Sequence, residues 1–113
     1  MAVHKLRLNK VPFESIKCGK KTVEMRLYDE KRKMIKVGDN IEFSLRDDEC
    51  QTIMTKVVSI NVFDSFKSLY DCFDKSMLGY IENEVASYTD MEEYYSKEEQ
   101  ALFGVVAIGI EVC

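Results

Sequence analysis

The chain has 113 residues, of which 46% are hydrophobic and 32% are charged, and its formal net charge is −4. This composition excludes an intrinsically disordered or low-complexity chain, and the length predicts one domain spanning residues 1–113. The apolar run 103–110 is far too short to cross a bilayer, which takes roughly 20 residues. No signal-peptide pattern opens the sequence, so we expect a cytoplasmic protein without membrane contact.

The charges are distributed unevenly along the chain. Residues 1–36 carry 11 Lys and Arg against 4 Asp and Glu, whereas residues 61–113 carry 3 against 11. A positive region that keeps its own face after folding would attract an anion such as a phosphate backbone. If the two segments instead fold against each other, their charges neutralise, and the sequence leaves both outcomes open.

Neither a metal site nor a cofactor motif is evident in the sequence. Four cysteines, at positions 18, 50, 72 and 113, form no C-x-x-C pair, and His4 is the only histidine. This spacing does not fit a structural zinc site. The five glycines form neither a dinucleotide-binding pattern nor a P-loop. We therefore expect free thiols, no metal and no cofactor.

Alternation of apolar and polar residues predicts the first elements of the fold. A short strand is predicted over residues 4–8, followed by a two-turn helix over 12–18. Pro12 suits the first turn of that helix, and Gly19 suits the left-handed residue that ends it. The clearest strand pattern covers residues 22–28, where apolar residues alternate with polar ones.

The middle of the chain continues with strands and turns. The polar stretch 29–35 tolerates a helix, and 36–39 predicts a turn. A strand is predicted over 41–46, a loop over the polar residues 47–51, and a long β-branched strand over 52–63. The apolar positions of this last strand change parity midway, which predicts a bend.

The last third of the chain combines short helices with a final strand. Spacing of aromatic and apolar residues predicts an amphipathic helix over 65–73. Capping boxes at Thr89–Glu92 and Ser96–Glu99 predict two further short helices. The nearly continuous apolar segment 103–112 predicts a strand covered on both faces. Short strands mixed irregularly with short helices favour a small mixed barrel over a doubly wound parallel sheet.

The segment that links the first helix to the strand over 22–28 carries the best candidate for a functional site. Glu24 and Arg26 lie two residues apart on one strand face, about 7 Å between α carbons, so they can pair or frame a small polar ligand. Lys21 precedes the strand. An ordinary surface ion pair on a solvated strand face would give the same pattern.

Four residues of this segment match a known signature. Gly19, Lys21, Glu24 and Arg26 reproduce the G-x-K-x-x-E-x-R motif of the ASCH domain family, and the chain resembles the small bacterial single-domain proteins of that family. The resemblance also covers three flanking segments: 12–17, 36–43 and 104–111.

The resemblance implies an α+β fold, a small PUA-like mixed β-barrel with flanking short helices. It also implies a polar cleft beside the barrel in which Lys21, Glu24 and Arg26 bind RNA or a nucleotide-like ligand. Lysine and arginine suit phosphate groups, and a carboxylate can accept a hydrogen bond from the exocyclic amine of a base. The candidate ligand contacts all lie on the strand or in the turn before it: Lys20, Lys21, Thr22, Glu24, Arg26 and Tyr28.

Aromatic side chains would complete such a site by stacking on unpaired bases. The candidates are four tyrosines: Tyr28, Tyr88, Tyr94 and Tyr95. Packing of helices against the barrel is the other role open to these side chains, and it is the favoured interpretation.

Two catalytic alternatives and one structural alternative accompany this interpretation. One branch that resembles this family hydrolyses the amide of acetylated cytidine with a lysine, a threonine nucleophile and a glutamate. Glu24 stands here where that threonine would be, and Thr22 lies two residues away. As an amidohydrolase, the protein would use Lys21 to stabilise an oxyanion and Glu24 as a general base.

Metal-assisted ribonuclease activity has also been proposed for similar proteins, although no spacing here identifies a metal site. The structural alternative is a protein-interaction module that uses the acidic helices. Because the threonine is lost, we favour binding over catalysis.

Overall fold

The computed structural model describes residues 2–113, which form a five-stranded sheet with short helices around it. The strands are β1 (Val3–Leu8), β2 (Val23–Leu27), β3 (Asn40–Leu45), β4 (Asp48–Phe63) and β5 (Val105–Val112). The helices are α1 (Lys10–Lys17), α2 (Glu30–Lys33), α3 (Phe66–Tyr70), a 3-10 helix (Tyr88–Glu93) and α4 (Lys97–Phe103). Within the described residues, no helix is long and apolar enough to cross a membrane.

The strands are arranged in the order β1-β3-β4-β5-β2. Strands β1 and β3 run parallel, and the other neighbours are antiparallel. The sheet curves into a half-barrel whose two outer strands are β1 and β2. This arrangement confirms the predicted α+β fold class, a small mixed barrel with flanking short helices.

Strand β5 is covered on both faces, as predicted. Its alternate residues belong to two separate apolar clusters. Val106, Ile108 and Ile110 pack with β1, β3 and α1 on the concave face. Val105 and Ala107 pack on the opposite face with the apolar residues of β2 and with α3. The alternation follows from the strand period of two residues.

A bulge in β4 accounts for the change of parity seen in the sequence. The register with β5 shifts between Val57 and Ser59, which confirms the predicted bend. Gly109 lies opposite the bulge, paired with Ser59, and a Cβ atom at Gly109 would overlap the Oγ atom of that serine. A larger residue at position 109 would therefore force the Ser59 side chain to move.

The predicted boundaries differ most from the structure at two places. The loop predicted over 47–51 is instead the start of β4, which follows a two-residue turn after β3. These residues extend the β3–β4 hairpin into solvent. Because they are not buried, their sequence shows no alternation of apolar and polar residues. The helix predicted over 65–73 ends at Tyr70, although Phe73 still packs against the core beyond the helix end.

Of the two predicted capping boxes, one is confirmed. Ser96 and Glu99 bond reciprocally at the start of α4. The 3-10 helix is capped by Ser87, whose Oγ accepts from the backbone N–H of Thr89, so the cap lies two residues before the predicted one. The first helix begins at Lys10, two residues earlier than predicted, with Pro12 still in its first turn.

Candidate functional site

The turn after α1 sets the position of Lys21. The backbone N–H of Gly19 donates to the carbonyl of Ile16, and that of Lys20 donates to the carbonyl of Ser15, both at 3.0 Å. These two bonds form a Schellman motif, which needs a left-handed residue, and Gly19 has φ +83°. The turn directs Lys21 to the beginning of β2.

The pairing of β2 with β5 determines which way Glu24 and Arg26 point. Glu24 pairs with Ile108 and Arg26 with Val106, and directly opposite residues in an antiparallel pair share a face. Both side chains therefore lie on the concave face, while the apolar residues of β2 pack on the other. Glu24 is only 3% exposed, so the interpretation as an ordinary surface ion pair is wrong.

Glu24 holds two cations, one on each carboxylate oxygen. Its Oε1 lies 3.0 Å from Nζ of Lys21, and its Oε2 accepts from Nε of Arg26 at 2.9 Å. Oε1 also accepts from the backbone N–H of Met25. The carboxylate thus fixes both cations on the floor of the concave face.

Burial by itself would raise the pKa of the Glu24 carboxyl group. The charges of Lys21 and Arg26, together with the hydrogen bonds that these two residues donate, outweigh burial and lower the pKa to about 2. Glu24 is therefore ionised at neutral pH, and each of its oxygens is already engaged by a cation.

Gly79 allows a loop to pass over Lys21. The residue has φ +102°, and a Cβ atom there would lie 3.2 Å from Cδ of Lys21. The same loop accepts hydrogen bonds at the carbonyl of Met77 from the backbone N–H groups of Thr22 and Val23. It therefore holds the start of β2 and confines the lysine side chain.

The Lys21–Glu24–Arg26 cluster opens into a cleft of about 550 Å³, which we call the nucleotide-sized cleft. One wall is cationic and comes from β1, the start of α1, β2 and the β3–β4 turn: Arg7, Lys10, Lys21, Arg26 and Arg46. The facing wall carries aromatic and acidic side chains: Tyr70, Tyr80, Glu84, Asp90, Tyr94 and Tyr95. A cavity of this volume lies in the range that accommodates small ligands.

The tyrosines of the facing wall divide into anchored and free ones. Tyr80 donates to Asp90 at 2.7 Å and bonds Tyr70 at 2.9 Å, and Tyr95 stacks on Phe66 with ring centroids 5.6 Å apart. Burial, reinforced by its bonds to Tyr70 and Asp90, raises the pKa of Tyr80, so its hydroxyl stays protonated. Tyr94 is 66% exposed at the cleft and available to a ligand.

Comparison with known proteins identifies the family. The sequence matches the ASCH domain over residues 6–113. The chain belongs to the ASCH domain family. The crystal structure of hypothetical protein PH0355 is similar over 100% of both chains, with 35% identity and a TM-score of 0.77. The solution structure of protein PF0455 from Pyrococcus furiosus is 33% identical, with a TM-score of 0.67 over 97% of this chain and 96% of that one.

More distant ASCH structures share the fold. The S128A variant of the ASCH protein from Zymomonas mobilis is 14% identical, with a TM-score of 0.68 over 96% of this chain and 67% of that protein. The ASCH domain from Lactobacillus crispatus is 15% identical, with a TM-score of 0.66 over 98% of this chain and 78% of its own length. The comparison with curated proteins gives no match.

The cleft of this ASCH domain contains Lys21, Glu24 and Arg26 but not the other three predicted contacts. Lys20 is exposed in the turn, and the backbone of Thr22 is bonded to Met77 and Ile110. Tyr28 packs against the core with Nζ of Lys33 5.7 Å from its ring centre. Roles for these three residues in ligand binding stay predictions. Across residues 2–113, no group of three or more His, Cys, Asp or Glu side chains is placed to hold a metal ion.

Sequence analysis missed several residues that line the cleft. Arg7 and Arg46 lie on strands or turns remote from the motif, and Tyr80 lies in a region without a readable pattern. Asp90 lies within the predicted capping box Thr89–Glu92, which indicates a helix start and not a ligand site. The one signal for Arg7 was the excess of positive charge in residues 1–36. The acidic wall corresponds to the negative segment 61–113, so the two charged segments meet across the cleft.

Proposed function

We propose that this ASCH domain binds RNA or a nucleotide-like ligand, with one nucleotide seated in the nucleotide-sized cleft. The observation that carries the proposal is the buried Glu24 carboxylate, which holds Lys21 and Arg26 at fixed positions on the cleft floor. Cations that are already oriented lose little conformational freedom when a ligand binds. The facing tyrosines add surfaces on which a base can stack.

Both cations keep hydrogen-bonding capacity for a ligand. The Lys21 ammonium has three donors and contacts one carboxylate oxygen. Arg26 uses Nε for Glu24 and Nη2 for the carbonyl of Arg7, and its Nη1 has no acceptor within residues 2–113. These donors suit the oxygens of a phosphate group or of a base.

The state of Glu24 favours binding over hydrolysis. A general base works best with a pKa near the operating pH. The pKa of Glu24 is about 2, and both of its oxygens accept from cations, so the carboxylate is a weak acceptor for a proton from water. Its role in the proposal is to position Lys21 and Arg26.

The test is incubation of the purified protein with free modified nucleosides, nucleoside monophosphates and short RNAs, followed by mass spectrometry of retained and converted species. The proposal predicts retention without conversion, lost in Lys21→Ala and kept in the matched control Lys67→Ala, an exposed lysine outside the cleft. Conversion of an acylated cytidine that stops in Lys21→Ala would instead establish a hydrolase. Retention of no compound would contradict the proposal.

A further inference from the structure

A second depression lies beside the nucleotide-sized cleft, between β1, β3, α2 and the β3–β4 turn. It has a volume of about 410 Å³ and is lined by six basic side chains: Lys5, Arg7, Arg26, Lys31, Arg32 and Arg46. We call it the basic groove. Two carboxylates, those of Glu42 and Glu49, also line it. All of these basic residues except Arg46 lie in residues 1–36, so the positive segment of the sequence keeps a positive face in the folded chain.

Most of these positive charges form no ion pair within residues 2–113. Arg26 pairs with Glu24, and Arg32 lies 3.3 Å from Asp29. In the described part of the chain, no carboxylate comes within 4.0 Å of the charged nitrogens of the other four: Lys5, Arg7, Lys31 and Arg46. This holds even for Lys5, which stands opposite Glu42 in the pairing of β1 with β3.

Two arginines of the groove show how its donors are arranged. Nε of Arg46 donates to the side chain of Asn9 at 3.1 Å, which orients the guanidinium without neutralising it. Nε of Arg32 is buried and has no acceptor among the residues that the structure describes. The groove therefore retains the charge of Arg46, whereas the buried Nε of Arg32 is not accessible to a ligand.

The groove continues directly from the cleft. Arg7, Arg26 and Arg46 line both depressions. A ligand whose phosphate reaches Arg26 in the cleft can thus extend into the groove along these shared arginines. Glu84 and Asp90 line the cleft but not the groove, and their negative charges repel a phosphate. The three shared arginines therefore offer a phosphate backbone a favourable route from the cleft into the groove.

We propose that the basic groove binds the flanking phosphodiester groups of a single-stranded RNA, one nucleotide of which occupies the cleft. The preferred ligand is then an RNA chain rather than a free nucleoside or nucleotide, an inference that rests on the proposed function. A positive groove that follows the backbone, beside aromatic side chains that stack a base, is the arrangement that suits single-stranded nucleic acid.

The test compares a random-sequence RNA hexamer pool with a mixture of the four ribonucleoside 5′-monophosphates. The variant is Lys5→Gln/Lys31→Gln, because these exposed lysines line the groove but not the cleft and have no hydrogen-bonding or ionic partner within residues 2–113. The matched control is Lys67→Gln/Lys97→Gln, which removes the same charge from exposed lysines outside both depressions. Circular dichroism verifies the fold of each.

The groove variant is expected to bind the hexamer roughly fivefold to thirtyfold more weakly than the unmodified protein at low salt, with monophosphate binding unchanged. The slope of log K against log salt concentration should fall by about 1 to 1.5, because two phosphate contacts are lost. The control variant should retain hexamer affinity and slope.

Three results would overturn the inference: equal hexamer affinity in the groove variant and the unmodified protein, an equal loss in the control variant, or an equal loss for the monophosphates. Displacement of the hexamer by an acidic peptide of the same charge at equal concentration would also contradict it. If monophosphates bind but the hexamer binds no better, the groove inference fails and the proposed function stands. If neither binds, the proposed function itself fails.

Discussion

Nη2 of Arg26 donates to the backbone carbonyl of Arg7 at 2.9 Å and thereby joins the two outer strands of the sheet. Strands β1 and β2 stand at opposite ends of the strand order, so this bond spans the opening of the half-barrel. The same guanidinium binds Glu24 through Nε. The Arg26 side chain therefore links the two outer strands and also forms part of the cleft floor.

Replacement of Arg26 by lysine tests this double role. Lysine keeps the charge but cannot donate to Glu24 and to the Arg7 carbonyl in the same planar geometry. We expect nucleotide affinity to fall by about 1 to 3 kcal/mol, as for the loss of a charged hydrogen bond, and stability to fall by about 1 kcal/mol. Calorimetric titration and urea denaturation measure the two effects separately. Unchanged affinity in Arg26→Lys would show that binding does not depend on the planar guanidinium of Arg26.

The pKa of Glu24 predicts an acid-dependent loss of stability. Its pKa is about 2 in the folded protein, below the ordinary value of 4.5, so folding favours the ionised form. The resulting stabilisation is fully present above about pH 4.5 and is lost as the pH falls from there towards about 2. Urea denaturation at a series of pH values follows this loss.

Glu24→Gln provides the control for that titration. The variant leaves Lys21 and Arg26 without their shared carboxylate, and we expect it to be about 3 to 5 kcal/mol less stable at pH 7. Its stability should then depend less on pH below 4.5 than that of the unmodified protein. Parallel pH profiles for the two proteins would show that Glu24 does not carry the effect.

The fold was predictable from sequence where burial leaves an apolar pattern. Alternation identified β2 and placed Glu24 and Arg26 on one face, and the change of parity in β4 indicated the bulge. The alternation could not show that the polar face of β2 is buried. That burial depends on the curvature of the sheet, which brings β1 opposite β2. The exposed start of β4 escaped prediction because its residues contact no core.

The candidate site was only partly predictable for a related reason. The motif supplied Lys21, Glu24 and Arg26, which are close in sequence, and Tyr94 and Tyr95 were among the aromatic candidates. In contrast, Arg7, Arg46, Tyr70 and Tyr80 reach the cleft from distant segments and were not predicted. Local patterns carry no information on such juxtapositions. Gly79 shows the same limit, since its contact with Lys21 exists only in the folded chain.

Close contact between β4 and β5 predicts a specific packing effect at Gly109. An alanine there would overlap Oγ of Ser59, and we expect Gly109→Ala to destabilise the protein by about 1 to 3 kcal/mol. Removal of the hydroxyl in Gly109→Ala/Ser59→Ala should restore part of that stability. Urea denaturation of the two single variants and the double variant measures the coupling. Additive effects would mean that the two side chains do not collide.

Tyr94 provides a test of base stacking that leaves the fold intact. The side chain is 66% exposed, so Tyr94→Ala should leave stability nearly unchanged. We expect the affinity for a nucleoside monophosphate to fall by about 1 to 3 kcal/mol, the range for loss of a base–aromatic contact. Leu102→Ala, at a site 75% exposed and outside the cleft, is the control. Equal affinity in both variants would exclude Tyr94 as a stacking surface.

The most direct test of the account is a ¹H–¹⁵N NMR titration of the 13.1 kDa protein with the random RNA hexamer pool. If a nucleotide binds in the cleft, the shifted amide signals cluster around it, at Arg26, Gly79 and Tyr94. Signals of Asn61 and Val62, exposed on β4 and outside the cleft, should stay in place. Shifts that cluster on β4 and spare the cleft, or no shifts at all, would contradict nucleotide binding by Lys21, Glu24 and Arg26.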